Sequence, residues 1–148
     1  FIRKMTRQEI EDEYEIGGIL EGAGVAAALP AMTSVDVARL TGMVEHMARL
    51  APKVGGLYEF SEVDEAFHNA LLQHCANRRL VDMARSACAN ISKFLFYNHW
   101  NILFTPQEFV DRHRDILNSV LTGDPVEVEA TLRAHYRESG RRMGQFGA

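Results

Sequence analysis

Cysteine is scarce in this sequence, with Cys75 and Cys88 the only two among 148 residues. Two thiols cannot build the disulfide framework of a small secreted scaffold, and their spacing matches no metal-ligand pattern. Both are expected to be small buried apolar residues in a reducing compartment. Long apolar runs are missing too: none approaches the roughly 20 residues that span a bilayer, and Phe1 to Arg7 lack the apolar core of a signal peptide. Positive charge is not in excess, since 16 bases stand against 20 acids, for a formal net charge of −4 and a pI near 5.9. No basic face is therefore expected to draw nucleic acid. These absences predict a soluble, cytoplasmic chain that does not read DNA by itself and has no membrane partner. Opening at Phe1 rather than at an initiator Met, it is expected to follow an upstream segment.

Alternating strand patterns of useful length are absent as well, and Pro, Gly and N-cap residues divide the chain into about six helical stretches. The expected fold class is all-α, an antiparallel bundle. The first helix is expected over Gln8 to Leu29, stopped by Pro30. Thr33 and Asp36 resemble a capping pair for a second helix reaching Ala51, before Pro52 and Gly55-Gly56. Ser61 or a neighbour would start a third, ending near Cys75, and Asn77 would break the chain before a fourth from Arg78 to Leu103. Thr105-Pro106-Gln107-Glu108 and Asp124-Pro125-Val126-Glu127 are the clearest starts, each with an N-cap residue, Pro at the first helical position and an acid following. Neither an internal repeat nor a low-complexity tract is visible. The first helix carries Gly17, Gly18, Gly22 and Gly24, each costing a helix interior about 1 kcal/mol relative to alanine. Such glycines serve close helix packing, or leave room for a ligand or a partner helix.

Asp64 and His68 stand four apart, so on a helix they lie one turn apart and can address one object. Asp64 is also three residues after Ser61, the spacing of a capping pair. His113 falls on the apolar stripe Phe109, His113, Ile116, Leu117, Val120, and His135 on the stripe Val128, Leu132, His135, Ser139. A lone inward histidine is ordinarily a core residue with one hydrogen-bond partner. The Asp64 and His68 pair, however, also lies on an apolar stripe, with Phe60, Leu71, Leu72 and Cys75. Four titratable groups then converge on one interior, where a divalent cation satisfies them together. Three imidazoles and a carboxylate suit zinc or nickel first, then manganese, iron or cobalt, and poorly suit calcium or magnesium. A chain of this length buries enough surface to fold without a structural metal, so a bound metal should have a function. His46, His74 and His99 are expected at solvent or an interface, and the Arg133, Arg137, Arg141 and Arg142 run on a solvated face.

These residues also resemble a known family. Tyr14-Glu15-Ile16 followed by Leu20-Glu21, then Asp64-Glu65-Ala66-Phe67-His68, Asn77-Arg78-Arg79-Leu80, His113 before Ile116-Leu117, Gly123-Asp124 and His135 are similar, in order and spacing, to the FCD domain. That domain is the C-terminal effector-binding part of FadR-subfamily, GntR-type bacterial transcription regulators. The intervals of 45 residues from His68 to His113 and 22 from His113 to His135 are of the kind its metal-binding members show. The resemblance implies that Asp64, His68, His113 and His135 are metal ligands in a bundle of six or seven helices that forms a homodimer. It implies a winged helix-turn-helix domain before this one, with residues 1–7 the end of a linker and 8–148 the helical domain. Operator DNA would then be reached only through that preceding segment. Where many relatives carry an arginine able to clamp an effector carboxylate, this chain has Gly17, so the effector, a small organic acid by the resemblance, would be held by the metal or by another base, or would not be a carboxylate. Asn90 and Tyr97 share a helical stripe with Met83, Ala87 and Phe94 and are candidates to line its pocket. The competing readings are a metal-dependent hydrolase or other metalloenzyme, and a dimerisation module with a structural metal. No His-Asp dipeptide occurs, and Glu65 points about 100° away from Asp64.

Overall fold

A computed structural model describes the chain over residues 4–53, 57–87, 89 and 103–148. Among the described residues there are six α-helices and no strand, as the sequence predicts. Helix α1 spans Arg7–Ala28, α2 Ser34–Leu50, α3 Leu57–Leu71, α4 Arg78–Ala87, α5 Pro106–Thr122 and α6 Pro125–Met143. No helix among them is long and apolar enough to cross a membrane.

The starts follow from local hydrogen bonding. Thr33 accepts from the Asp36 amide while the Asp36 carboxylate accepts from the Thr33 amide, a reciprocal box that begins α2. Thr105 and Glu108 do the same for α5, with Pro106 at the position where a missing N–H costs nothing. Asp124 accepts from the Val126 amide at the start of α6. A third box, Thr6 with Glu9, starts α1 at Arg7. Pro30 ends α1 through a short 3-10 turn over Leu29–Ala31 rather than abruptly. Gly123 closes α5 at φ 69, a left-handed conformation that glycine adopts without a Cβ penalty.

The third helix departs from expectation. It begins at Leu57 and not at Ser61, so Ser61 lies within the helix, and it ends at Leu71 rather than near Cys75. The reason is packing: Phe60 is already buried against the core, and an apolar anchor decides where a helix continues more strongly than a polar residue of capping type. Asn77 does open α4, its side chain accepting from the Leu80 amide. Of the expected run of that helix to Leu103, residues 88 and 90–102, which include Cys88, Asn90, Tyr97, His99 and Trp100, lie outside the described residues.

Helix α1 packs along α6 and against α4, α5 lies on α6, and α2 lies on α3 and α5. One buried cluster contains Val25, Leu40, Met47, Phe67, Leu71, Leu72, Val81, Ile116 and Leu132. A second holds Ile10, Tyr14, Leu103, Phe104 and Met143, with Tyr136 packed against both. Gly18, Gly22 and Gly24 of α1 serve close packing. A Cβ on Gly18 would stand 2.9 Å from Tyr136 Cβ and 3.2 Å from Arg133 Cα, and one on Gly24 would stand 2.7 Å from Leu72 Cδ2. The Gly18 contact brings α6, which carries His135 and Tyr136, directly onto α1.

Candidate metal centre

Three helices present the predicted residues to one place: α3 contributes Asp64 and His68, α5 His113 and α6 His135. One nitrogen from each of His68, His113 and His135 falls within a set whose members all lie within 4.8 Å of one another, so these three could hold a metal ion. The rings stack edge-on or tilted, with centroids 5.4 Å apart for His68 to His135 and for His113 to His135. Asp64 stands beside two of the three: its Oδ1 lies 2.7 Å from His113 Nε2 and 3.5 Å from His68 Nε2. The three predicted histidines are thus brought together, with the predicted Asp64 against two of them, His113 and His68.

The outer contacts decide which nitrogens remain available. His113, 2% exposed, donates from Nδ1 to the Phe109 carbonyl one turn earlier, at 2.7 Å. That commits Nδ1 and leaves Nε2 facing Asp64. His68 donates from Nδ1 to Glu21 Oε1, which leaves its Nε2 on the Asp64 side. His135 is the exposed need of the group: its Nδ1 is buried and has no hydrogen-bond partner among the described residues. An orphaned imidazole nitrogen beside two committed ones and a carboxylate is what a borderline-soft divalent ion satisfies, and the donor set fits such a metal. The His68 and Asp64 side chains keep 15% and 26% of their surface, so the cluster is not sealed from its surroundings.

Electrostatics agree with a site built for positive charge. Burial works against ionising Asp64, but the neighbouring His68 and the hydrogen bond from His113 hold its carboxyl well below the usual range. Burial likewise opposes a proton on His68, yet the carboxylates of Glu21 and Asp64 push its pKa up to about 10. His135 is driven well below its ordinary value by burial, by the Arg112 guanidinium and by the other two histidines. A neutral imidazole is the ligating form.

Two participants escaped the sequence. Glu21 is 3% exposed on α1 and also accepts from the Tyr136 hydroxyl. Its signal was present: Tyr14, Gly18, Glu21, Val25 and Ala28 recur at helical spacing and all are buried, so a carboxylate on that stripe asks for a partner. Arg112 donates from Nη2 to the His135 carbonyl and to Ser139 Oγ, each at 2.7 Å, and lies 3.8 Å over the Phe104 ring. Arg112 and His135 also line a groove of about 630 Å³ between α5 and α6. Gly17 is buried on α1 one turn before Glu21 and brings no donor. Asn90 and Tyr97 lie outside the described residues. Glu65 is exposed. His74, expected at solvent or an interface, pairs with Asp36 across α2 at 2.9 Å.

The model of the FCD domain family matches residues 12–138. The chain belongs to the FCD family. This is a regulatory and not an enzymatic family, whose members named below are transcriptional regulators. The FCD domain here is 29% identical over 138 residues to an HTH-type transcriptional regulator in an unstable DNA locus of Streptomyces ambofaciens, a match covering 93% of this chain and 56% of that protein. It is 29% identical over 131 residues to the Glc operon transcriptional activator of Escherichia coli K12, covering 85% of this chain and 52% of the activator. The chain therefore spans about half the length of the curated relatives it matches. No solved structure matches it at comparable significance.

Proposed function

We propose that this FCD domain senses a small organic acid at a divalent transition-metal site formed by Asp64, His68, His113 and His135, and so regulates DNA binding by a winged helix-turn-helix segment of the same protein. The observation that carries the proposal is the convergence of three histidine nitrogens within 4.8 Å, with the Asp64 carboxylate against two of them. Zinc or nickel suits the donor set first, with manganese, iron and cobalt behind. A metal held by these residues would supply Lewis acidity to the carboxylate oxygens of the effector. Gly17 offers no guanidinium, so the anion's charge would be met at the metal or by another base.

The chain's own residues determine what the site can report. His68 and Asp64 share one turn of α3, His113 is tied to α5 through the Phe109 carbonyl, and His135 is held through its backbone by Arg112. A ligand that tightens the four side chains around one point therefore biases how α3, α5 and α6 pack. In a homodimer, such a bias changes the spacing of two recognition helices on an operator.

The test is a thermal-shift screen of mono- and dicarboxylic acids against the zinc- or nickel-loaded chain, alongside the same chain treated with chelator. The proposal predicts that at least one acid stabilises the loaded form, by an amount rising with concentration, and loses its effect after chelation. Stabilisation that survives chelation unchanged would place the effector elsewhere. The same chain by light scattering should have the mass of two copies.

A further inference from the structure

We infer that Glu21 is a positioning residue for the metal centre, whose buried carboxylate fixes the His68 ring so that Nδ1 faces α1 and Nε2 faces the cluster. The inference rests on the metal-site reading above and extends it to a helix, α1, that supplies none of the four ligands.

Several observations carry it. Glu21 is almost wholly buried, at 3% exposure, in the middle of α1. A buried carboxylate is costly unless its oxygens are matched by donors. Here each oxygen has one: His68 Nδ1 donates to Oε1 and the Tyr136 hydroxyl donates to Oε2. No lysine or arginine forms an ion pair with Glu21 among the described residues. The carboxylate is therefore spent on an imidazole and a phenol, and the imidazole is one of the three that converge. On its far side, His68 Nε2 stands 3.5 Å from Asp64 Oδ1. One ring nitrogen is thus held by α1 while the other is offered to the cluster.

The physical consequence follows from the two inequivalent nitrogens of imidazole. An acceptor at Nδ1 selects the tautomer that carries its proton there, orients the ring, and makes Nε2 the more basic donor. His113 obtains the same selection from the Phe109 carbonyl. Glu21 does for His68 what a backbone oxygen does for His113, and it reaches further. Tyr136 follows His135 on α6, so the second carboxylate oxygen also anchors the turn that carries the third histidine. Gly18 makes this possible, because its missing Cβ lets Tyr136 Cβ approach α1.

The experiment uses the full chain and zinc alone, with affinity read by competition against a fluorescent chelator and histidine ring nitrogens read by long-range proton–nitrogen NMR. In the zinc-loaded parent, His68 should coordinate through Nε2 and keep a proton on Nδ1. Glu21→Leu should weaken zinc binding about 10- to 100-fold, the usual effect of removing such an outer partner. Glu21→Gln keeps an acceptor oxygen and should recover most of the affinity and the same tautomer. A Leu variant that binds zinc as tightly as the parent, or a Gln variant as weak as the Leu one, would overturn the inference while leaving the metal site standing. If Glu21→Leu fails to fold, the parent spectrum decides alone, since coordination of His68 through Nδ1 would overturn it. A parent that binds neither zinc nor, in the same assay, nickel, manganese, iron or cobalt overturns the reading on which the inference rests.

Discussion

The contact between α1 and α6 makes a quantitative prediction, because one substitution at two glycines should differ in effect by the cost of overpacking. Gly42 lies within α2 on an exposed face, and a Cβ there meets nothing within 4 Å. Gly42→Ala gains about 1 kcal/mol in helix propensity and should raise the melting temperature by about 2 to 4 °C in a chain of this length. Gly18→Ala gains the same propensity, but its Cβ would stand 2.9 Å from Tyr136 Cβ and 3.2 Å from Arg133 Cα. Neither atom can swing aside, since both are fixed to the α6 backbone. Overpacking of that kind costs about 1 to 3 kcal/mol, so the net change at Gly18 runs from about zero to a loss of about 2 kcal/mol. The difference between the two variants isolates the packing cost. It is measured by parallel urea melts, with zinc affinity as a second readout because the displaced helix carries His135 and Tyr136. If both variants were stabilised equally, the close approach of α1 to α6 would be refuted, and with it the route by which Glu21 reaches Tyr136.

Other predictions follow from the same geometry. His68 has its pKa raised to about 10 by Glu21 and Asp64 against the opposition of burial, so the stability it contributes to chelator-treated protein is fully present below its unfolded value near 6.5 and fades as pH rises through about 10. Over that window zinc uptake must displace the His68 proton, so affinity should rise with pH, and calorimetry in buffers of different ionisation enthalpy should show proton release. Asp36 has its carboxyl lowered to about 2 by the Thr33 backbone and side chain and by His74, so its contribution is present above about 4 and lost as pH falls through about 2. Acid unfolding of Asp36→Asn should lack that component, and an unchanged acid limb would contradict the box at α2. Phe67 is fully buried and packs edge-on against both His68 and His113. Phe67→Ala should cost about 3 to 5 kcal/mol in urea unfolding and loosen the metal site; a cost near zero would mean that these rings are not held by packing.

The parts of this fold that could be read in the sequence are those governed by nearby residues. The starts at Thr33, Thr105 and Asp124 depend on hydrogen bonds spanning two or three residues, and each is found where the sequence places it. The inward faces of His113 and His135 follow from helical periodicity alone. The start of α3 was missed because tertiary packing of Phe60 outweighs the capping tendency of Ser61. Glu21 was missed for a related reason: its partners lie 47 and 115 residues away, and no periodicity within α1 says what the neighbouring helices bring. The pairing of His74 with Asp36 across α2 and the turn after α3 was hidden in the same way. Asp64, His68, His113 and His135 could be named together because each lies on an apolar stripe, where an ionisable group must find a partner.

Asp64, His68, His113 and His135 are proposed together to hold a transition metal. Elemental analysis by mass spectrometry of the purified chain, beside a His113→Ala and His135→Ala double variant, tests that proposal most directly. Near-stoichiometric zinc, nickel or a neighbouring transition metal in the parent, with little in the double variant, is the expected result. A parent that neither retains metal through purification nor rebinds it when supplied would contradict the account, and the histidines would then be hydrogen-bonding groups in a metal-free domain.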